Sequence, residues 1–178
     1  MIYAVSGLAG SGKDTVADYI AKKFDIPKVA FADPVREMVA DIDPIIGVLG
    51  GEAVHYTDAV EKIGYRATKD TFPEARRFFD SLATRTIRNK IDKDYFVNLT
   101  LDRAWDLGSV VISDARFDNE KEAIKHTYPQ SSKIILVTRD DVEGLDYESE
   151  RINTDYIDHI ISNNGTIEEL YERVDLVV

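Results

Sequence analysis

The sequence predicts an α/β fold with a mainly parallel sheet. Three observations carry this expectation. Short apolar runs of strand length recur along the chain, stretches with apolar residues at helical spacing lie between them, and a glycine-rich turn joins the first run to the first helix.

Met1–Ser6 is apolar with β-formers and reads as a buried strand. Val16, Ala17, Ile20, Ala21 and Phe24 then repeat at helical spacing, so a helix is expected over about Lys13–Phe24. Lys28–Ala32 is a second apolar run. Asp33–Pro34 supplies an N-cap followed by proline at the first helical position. Asp43–Gly51, with a proline and three glycines, reads as a loop. Phe72–Ile91 is expected to be one helix, opened by Pro73 and striped by Phe78, Phe79, Leu82, Ala83 and Ile87. Asp94 suits the cap of a helix that ends at Gly108, and Trp105 is expected in the core. Val110–Ser113 and Lys133–Thr138 are strands, with a short helix over Asn119–His126 between them. Asp140–Glu150 holds six acidic residues and no cation, so it reads as an exposed loop. His159–Ser162 is a last strand, and Thr166 with Glu169 forms the capping box of a terminal helix.

Composition narrows the function. The 178 residues suit a single domain, 1–178, and 33 acidic against 22 basic side chains give a net charge of −11. That surplus argues against binding nucleic-acid polymers or anionic membranes, both of which call for excess cations. No run approaches the roughly 18 apolar residues of a membrane span. With no cysteine, disulfides and thiolate metal sites are excluded. The opening residues lack signal-peptide features, so a cytoplasmic location is expected, the host's if the gene is a phage's. The three histidines share no metal-ligand spacing.

Gly7-Leu-Ala-Gly10-Ser11-Gly12-Lys13 fits G-x-x-x-x-G-K between a predicted strand and a predicted helix. Such a loop turns successive backbone N–H groups inward around phosphate oxygens, and the helix start adds its positive dipole end. Lys13 would place a full charge on the β- and γ-phosphates. Asp14 stands where the usual motif has a hydroxyl for Mg²⁺; it either joins the metal shell or merely satisfies the helix dipole. Thr15 can still reach a phosphate.

Further cations point to a second anion. Arg36, one turn into the helix opened by Asp33, can clamp a phosphate bidentately, and Asp33 is either a cap or an acceptor contact. Arg76, Arg77, Arg85 and Arg88 lie on the Phe72–Ile91 helix. With uniform α-helical winding, Arg77, Arg85 and Arg88 share a sector of roughly 80°, either a phosphate-binding wall or a solvated face. The apolar run ending in Asp114 has the shape of a carboxylate that holds Mg²⁺, or of a structural turn, and Arg116 follows it. Arg139 and Arg151 bracket the acidic segment, a candidate lid over about 139–153.

Taken in order, these pieces resemble the deoxynucleoside monophosphate kinases of bacteriophages, within the phosphate-loop nucleotide-kinase superfamily. GLAGSGKDT, FADPVR, TRTIR, ISDARFDNE and DHIISNNGTIEEL carry the resemblance along nearly the whole chain. GKDT in place of GKST is itself typical of these kinases. The resemblance implies a three-layer fold with a five-stranded parallel sheet, a lid, and an acceptor-binding helical region over about 33–107. It implies transfer of phosphate from ATP, with Mg²⁺, to a deoxynucleoside monophosphate. Gly7, Gly10, Ser11, Gly12, Lys13, Asp14 and Thr15 would hold ATP, with Arg139, Asn163 and Asn164 nearby and Asp14 and Asp114 on the metal. Asp33, Arg36, Arg85, Arg88, Asp114, Arg116 and Glu120 would line the acceptor site. Lys13, Arg36, Arg88, Arg116 and Arg139 would act in the transfer. Asn163-Asn164-Gly165 looks like a loop that packs near the ATP base in related dephospho-coenzyme A kinases, or is a plain turn. Partners are then small nucleotides, and a homodimer is compatible with these motifs. On the residues alone, a kinase of another small acceptor, such as dephospho-coenzyme A or phosphomevalonate, or a nucleotide switch remain alternatives.

Overall fold

A computed structural model describes residues 1–142 and 153–178. The chain runs β1 (Ile2–Ser6), α1 (Lys13–Phe24), β2 (Lys28–Val29), α2 (Asp33–Ile42), β3 (Ile45–Leu49), β4 (Glu52–His55), α3 (Tyr56–Ile63), α4 (Tyr65–Thr71) and α5 (Pro73–Phe79). A π-helix (Asp80–Ile91) follows, then α6 (Tyr95–Leu107), β5 (Val110–Ile112), α7 (Asp118–Thr127), β6 (Ser132–Thr138), β7 (His159–Ser162) and α8 (Ile167–Asp175). Five strands form one parallel sheet in the order β2-β5-β1-β6-β7, as the α/β reading requires. The chain divides into two compact units, residues 1–31 with 97–178, and residues 32–96.

In the first unit β1 is the central strand. It pairs with β5 from Ile2↔Val110 to Ala4↔Ile112, and with β6 from Ile2↔Ser132 to Ser6↔Leu136. Ile2 and Ala4 pack into one cluster with Val97, Leu101 and Ile124, while Tyr3 and Val5 pack into another with Val16, Ile20 and Leu170. Both faces are therefore covered, which is why the strand carries no polar alternation. Each fully buried Ile or Val in these clusters is worth about 1.5–3 kcal/mol. The strand order reverses at β1, with β2 and β5 to one side and β6 and β7 to the other. The carboxyl ends of strands at such a point form the crevice in which open α/β sheets bind ligands. Thr166 and Glu169 cap α8 reciprocally, as expected. Trp105 departs from expectation: α6 buries Val97, Leu101 and Ala104, and Trp105 lies past the edge of that stripe, 70% exposed.

The second unit holds most of the differences from the sequence reading. The helix α2 starts at Asp33 with Ala32 at the cap position, so Asp33 belongs to the first turn and its carboxylate is not the cap. Residues 45–55 are not a loop but an antiparallel hairpin, turned at Gly50–Gly51 with φ of 62° and 87°. Positive φ at both central residues is what a type I′ turn requires, and two glycines meet it without strain. The aromatic Phe72 lies over this hairpin, so close to Gly47 that a Cβ there would sit 2.8 Å from the ring. The helices α3 and α4 occupy residues for which the sequence reading named no element, although Tyr56, Ala59, Val60 and Ile63 repeat at helical spacing. The expected single helix over Phe72–Ile91 changes winding at Asp80, after which the twelve residues to Ile91 form the π-helix. Val35, Val39, Ile46, Tyr56, Phe79 and Ile87 form the core of this unit.

Asp43 joins α2 to α3. Its backbone turns left-handed at φ 46°, and its Oδ1 accepts from Thr57 N (2.9 Å) and Thr57 Oγ1 (2.8 Å). Those two donors, with His55 Nδ1 at 3.2 Å, hold its carboxyl below the usual carboxylate range despite opposing burial. A lowered folded pKa contributes stability that is complete above the ordinary value of about 4 and is lost as pH falls through the folded value. Thermal melts at stepped pH should therefore show the midpoint of the native chain falling more steeply below about pH 4 than that of Asp43→Asn.

Candidate functional site

The glycine-rich loop leaves the centre of the sheet and enters α1. At Gly7 a side chain is excluded outright: a Cβ would lie 2.6 Å from Val137 O and 2.5 Å from Ser11 Oγ. Gly12, at φ 96°, sits at the cap position of α1 and offers no side-chain cap. The first-turn N–H groups of a helix cannot bond within it and point back along its axis, here toward the loop. The Ser11 hydroxyl oxygen is buried with no hydrogen-bond partner among the described residues, and Lys13 is only 6% exposed. Asp14 stands exposed in the first turn of α1, and Thr15 is half-buried. A glycine-rich turn at a helix start, with one buried hydroxyl and one buried lysine, suits an anion of several oxygens, the chemistry of a polyphosphate.

Other strand ends in this unit carry the remaining candidates. Asp114 follows β5, and its Oδ1 accepts from Phe31 N at 2.7 Å, which fixes the carboxylate. Arg116 is half-buried at the approach to α7. Glu120 is 1% exposed, and its Oε2 accepts from the backbone N–H of both Arg116 (2.8 Å) and Phe117 (3.0 Å). One oxygen of Glu120 thus shapes the start of α7. Arg139 follows β6 and meets Asp141 at two points, Nε to Oδ1 at 2.7 Å and Nη2 to Oδ2 at 3.0 Å. Asn163 follows β7 and donates from Nδ2 to Ser11 O at 2.8 Å, while Asn164 Oδ1 accepts from Asp140 N. The asparagine pair is therefore brought to the phosphate loop and to the start of the acidic segment. Arg151, with residues 143–152 of the expected lid, lies outside the described residues.

Sequence reasoning missed one group beside these. Lys121 is buried on α7, its Nζ 3.1 Å from Asp118 Oδ1 and 3.2 Å from Asn153 O, and Asn153 Nδ2 donates to Asp118 Oδ2. Burial pushes the Asp118 carboxyl up, but the Asn153 amide and the Lys121 ammonium outweigh it and hold it below its ordinary value. Only the i,i+3 spacing of Asp118 and Lys121 hints at this in the sequence.

Asp33, Arg36, Arg85 and Arg88 belong to the second unit. Arg36 Nη1 donates to Asp33 Oδ1 at 2.8 Å, and its guanidinium lies 4.6 Å from the centre of the Tyr65 ring. Arg88 is half-buried, 5.6 Å from the Phe96 ring centre. Arg76, Arg77 and Arg85 are exposed and paired with Asp70, Glu74 and Asp80. The 80° sector computed for uniform α-helix does not survive the change of winding at Asp80. The Arg85–Asp80 pair, five residues apart, follows the π repeat instead. Among the described residues no three His, Cys, Asp or Glu side chains gather as a metal site.

With this geometry in hand, four likenesses are informative. A family model described as deoxynucleotide monophosphate kinase matches residues 50–174, wholly downstream of the phosphate loop. A protein of Acanthamoeba polyphaga mimivirus, provisionally described as a deoxynucleotide monophosphate kinase, is 27% identical over 98% of this chain and 94% of its own. An adenylate kinase of a Nocardioides species is also 27% identical, over 97% of this chain and 84% of its own. Among solved structures, the APS kinase of Mycobacterium tuberculosis in complex with AMPPNP and APS shares the fold. Its TM-score is 0.52 at 13% identity, covering 99% of this chain and 95% of that one.

The Glu120 geometry makes a stability prediction. Glu120→Ala strands two backbone donors and should cost about 1–3 kcal/mol in urea unfolding, while Glu120→Gln, which keeps an acceptor oxygen, should cost clearly less.

Proposed function

The chain belongs to the deoxynucleotide monophosphate kinase family, and we propose that its phosphate loop holds ATP while Arg36 and Arg88 hold the acceptor. It is an ATP-dependent nucleotide kinase that converts ATP and a deoxynucleoside 5′-monophosphate into ADP and the diphosphate. One observation carries the assignment of the loop: a glycine-rich turn at the central strand's end, with a buried Lys13 and a buried Ser11 hydroxyl that has no partner among the described residues.

Phosphoryl transfer through a loose transition state demands alignment and charge neutralisation more than a strong base. The acceptor is already a phosphate dianion. Lys13 and the amides of the loop neutralise and fix the donor phosphates. Asp33 holds the Arg36 guanidinium in one orientation, and the Tyr65 face limits its rotation, so little side-chain entropy remains to be lost when it meets a phosphate. Arg88, half-buried against Phe96, is constrained in the same way. Residues 33–107 are the acceptor region in this reading; Asp114, Arg116 and Glu120, in the first unit, are acceptor candidates by the family resemblance alone. Arg139 must leave Asp141 before it can serve a transferring group.

Asp14 and Asp114 are the carboxylates that would hold Mg²⁺, directly or through water. Two carboxylates suit an ion that arrives with its phosphates and keeps several waters. When bound, the ion supplies charge neutralisation on the triphosphate oxygens. No helix among the described residues is long and apolar enough to cross a membrane, and we place the enzyme in the cytoplasm, where both substrates occur.

A coupled ADP-release assay over a panel of deoxynucleoside and nucleoside monophosphates tests the activity; ATP turnover that ignores every monophosphate would overturn it. Lys13→Ala should lower kcat by about 10²–10³ or more with the thermal midpoint preserved. Arg36→Ala and Arg88→Ala should raise KM for the monophosphate far more than KM for ATP, and an equal rise in both would reject the acceptor assignment.

A further inference from the structure

The Asn163 amide, expected near a nucleobase, has a different partner in the structure. Its Nδ2 donates to the carbonyl oxygen of Ser11 at 2.8 Å, inside the phosphate loop. The residue is itself fixed: its backbone N donates to Thr138 O at 2.7 Å, and Arg173 on α8 donates to Ser162 O just before it. Its approach is so close that a Cβ on Gly12 would lie 2.3 Å from Nδ2, which explains the glycine there independently of its φ.

We propose that Asn163 is a positioning residue that aims the phosphate loop. The carbonyl of Ser11 and the N–H of Gly12 belong to one planar trans peptide and point in opposite directions. Holding the carbonyl toward Asn163 therefore directs the Gly12 N–H away from Asn163, toward the side on which the loop would receive the phosphates. The group facing a carbonyl oxygen must donate, so an amide serves where a carboxylate would set lone pairs against lone pairs. Asn163 then acts on the donor nucleotide through its phosphates and not through its base. The inference rests on the assignment of the loop to ATP.

The test compares a nucleotide with a ligand that has phosphates and no base. Calorimetric titration of the full chain with Mg·ATP, Mg·tripolyphosphate and a deoxynucleoside monophosphate is run for the native protein, Asn163→Asp and Asn163→Ala, with thermal melts alongside. Asn163→Asp should weaken ATP and tripolyphosphate by the same factor, about tenfold or more, and leave the monophosphate unchanged. Asn163→Ala, which removes the donor without adding charge, should weaken both in the same proportion to a smaller degree, and it carries the test if the aspartate variant fails to fold. Loss confined to ATP would return the amide to the base and overturn the proposal, as would equal weakening of all three ligands or of none. A native chain that binds neither ATP nor tripolyphosphate overturns the assignment of the loop itself, and is seen before any variant is made.

Discussion

The site in the first unit depends on the pairing of β1 between β5 and β6. A central parallel strand buried on both faces has no freedom to slide, since a shift of one residue would exchange Ile2 and Ala4 with Tyr3 and Val5 between two different clusters. That register sets where the chain leaves the sheet, and Gly7 leaves it in contact with the backbone of β6. The phosphate loop is thus built on the least deformable part of the unit. Strand ends that carry Asp114, Arg139 and Asn163 inherit the same frame, because each belongs to a strand of the same sheet. In the function proposed above, preorganisation of this kind would let a polyphosphate find its donors already aimed.

Legibility in the sequence followed how local the determining physics is. The strands β1, β5, β6 and β7 and the helices α1, α7 and α8 were readable because burial on two faces, helical spacing or a capping box leaves a signal within a few residues. The phosphate loop was readable for the same reason. The hairpin was missed because Asp43–Gly51 was weighed by its proline and glycines, when Gly50–Gly51 between β-formers is itself a hairpin signal. The exposure of Trp105 follows from where the neighbouring buried stripe stops, which composition does not encode. Asn163 lies 152 residues from Ser11, and no local rule joins them. The role proposed for it depends on β1 and β7 ending level with each other across the intervening β6.

Charge placement follows a similar division. Several exposed arginines sit three to six residues from a carboxylate that holds them, as in Arg77–Glu74, Arg85–Asp80 and Arg76–Asp70, and such pairs add little stability. They do mask positive surface, which is consistent with a chain of net charge −11 that binds small anions at chosen points. Lys13 and Lys121 differ in kind. Both ammonium groups are buried, and a buried charge must be matched by geometry, so each marks a place where the fold was built around it.

The π-helix over Asp80–Ile91 has a consequence for how this region can change in length. An i→i+5 ladder holds one more residue in each hydrogen-bonded ring than an i→i+4 ladder, so it is the form a helix takes after absorbing an insertion between two anchored ends. Here the anchors are Phe79 and Ile87, both held in the core. Deleting one residue between them would let the segment rewind as α-helix, and the tighter winding would make up for the lost residue, so that the anchors keep nearly their present phase. The segment is therefore a length reserve: codon loss within it would be absorbed by the winding, and Arg88, next to the anchored Ile87, would keep its heading.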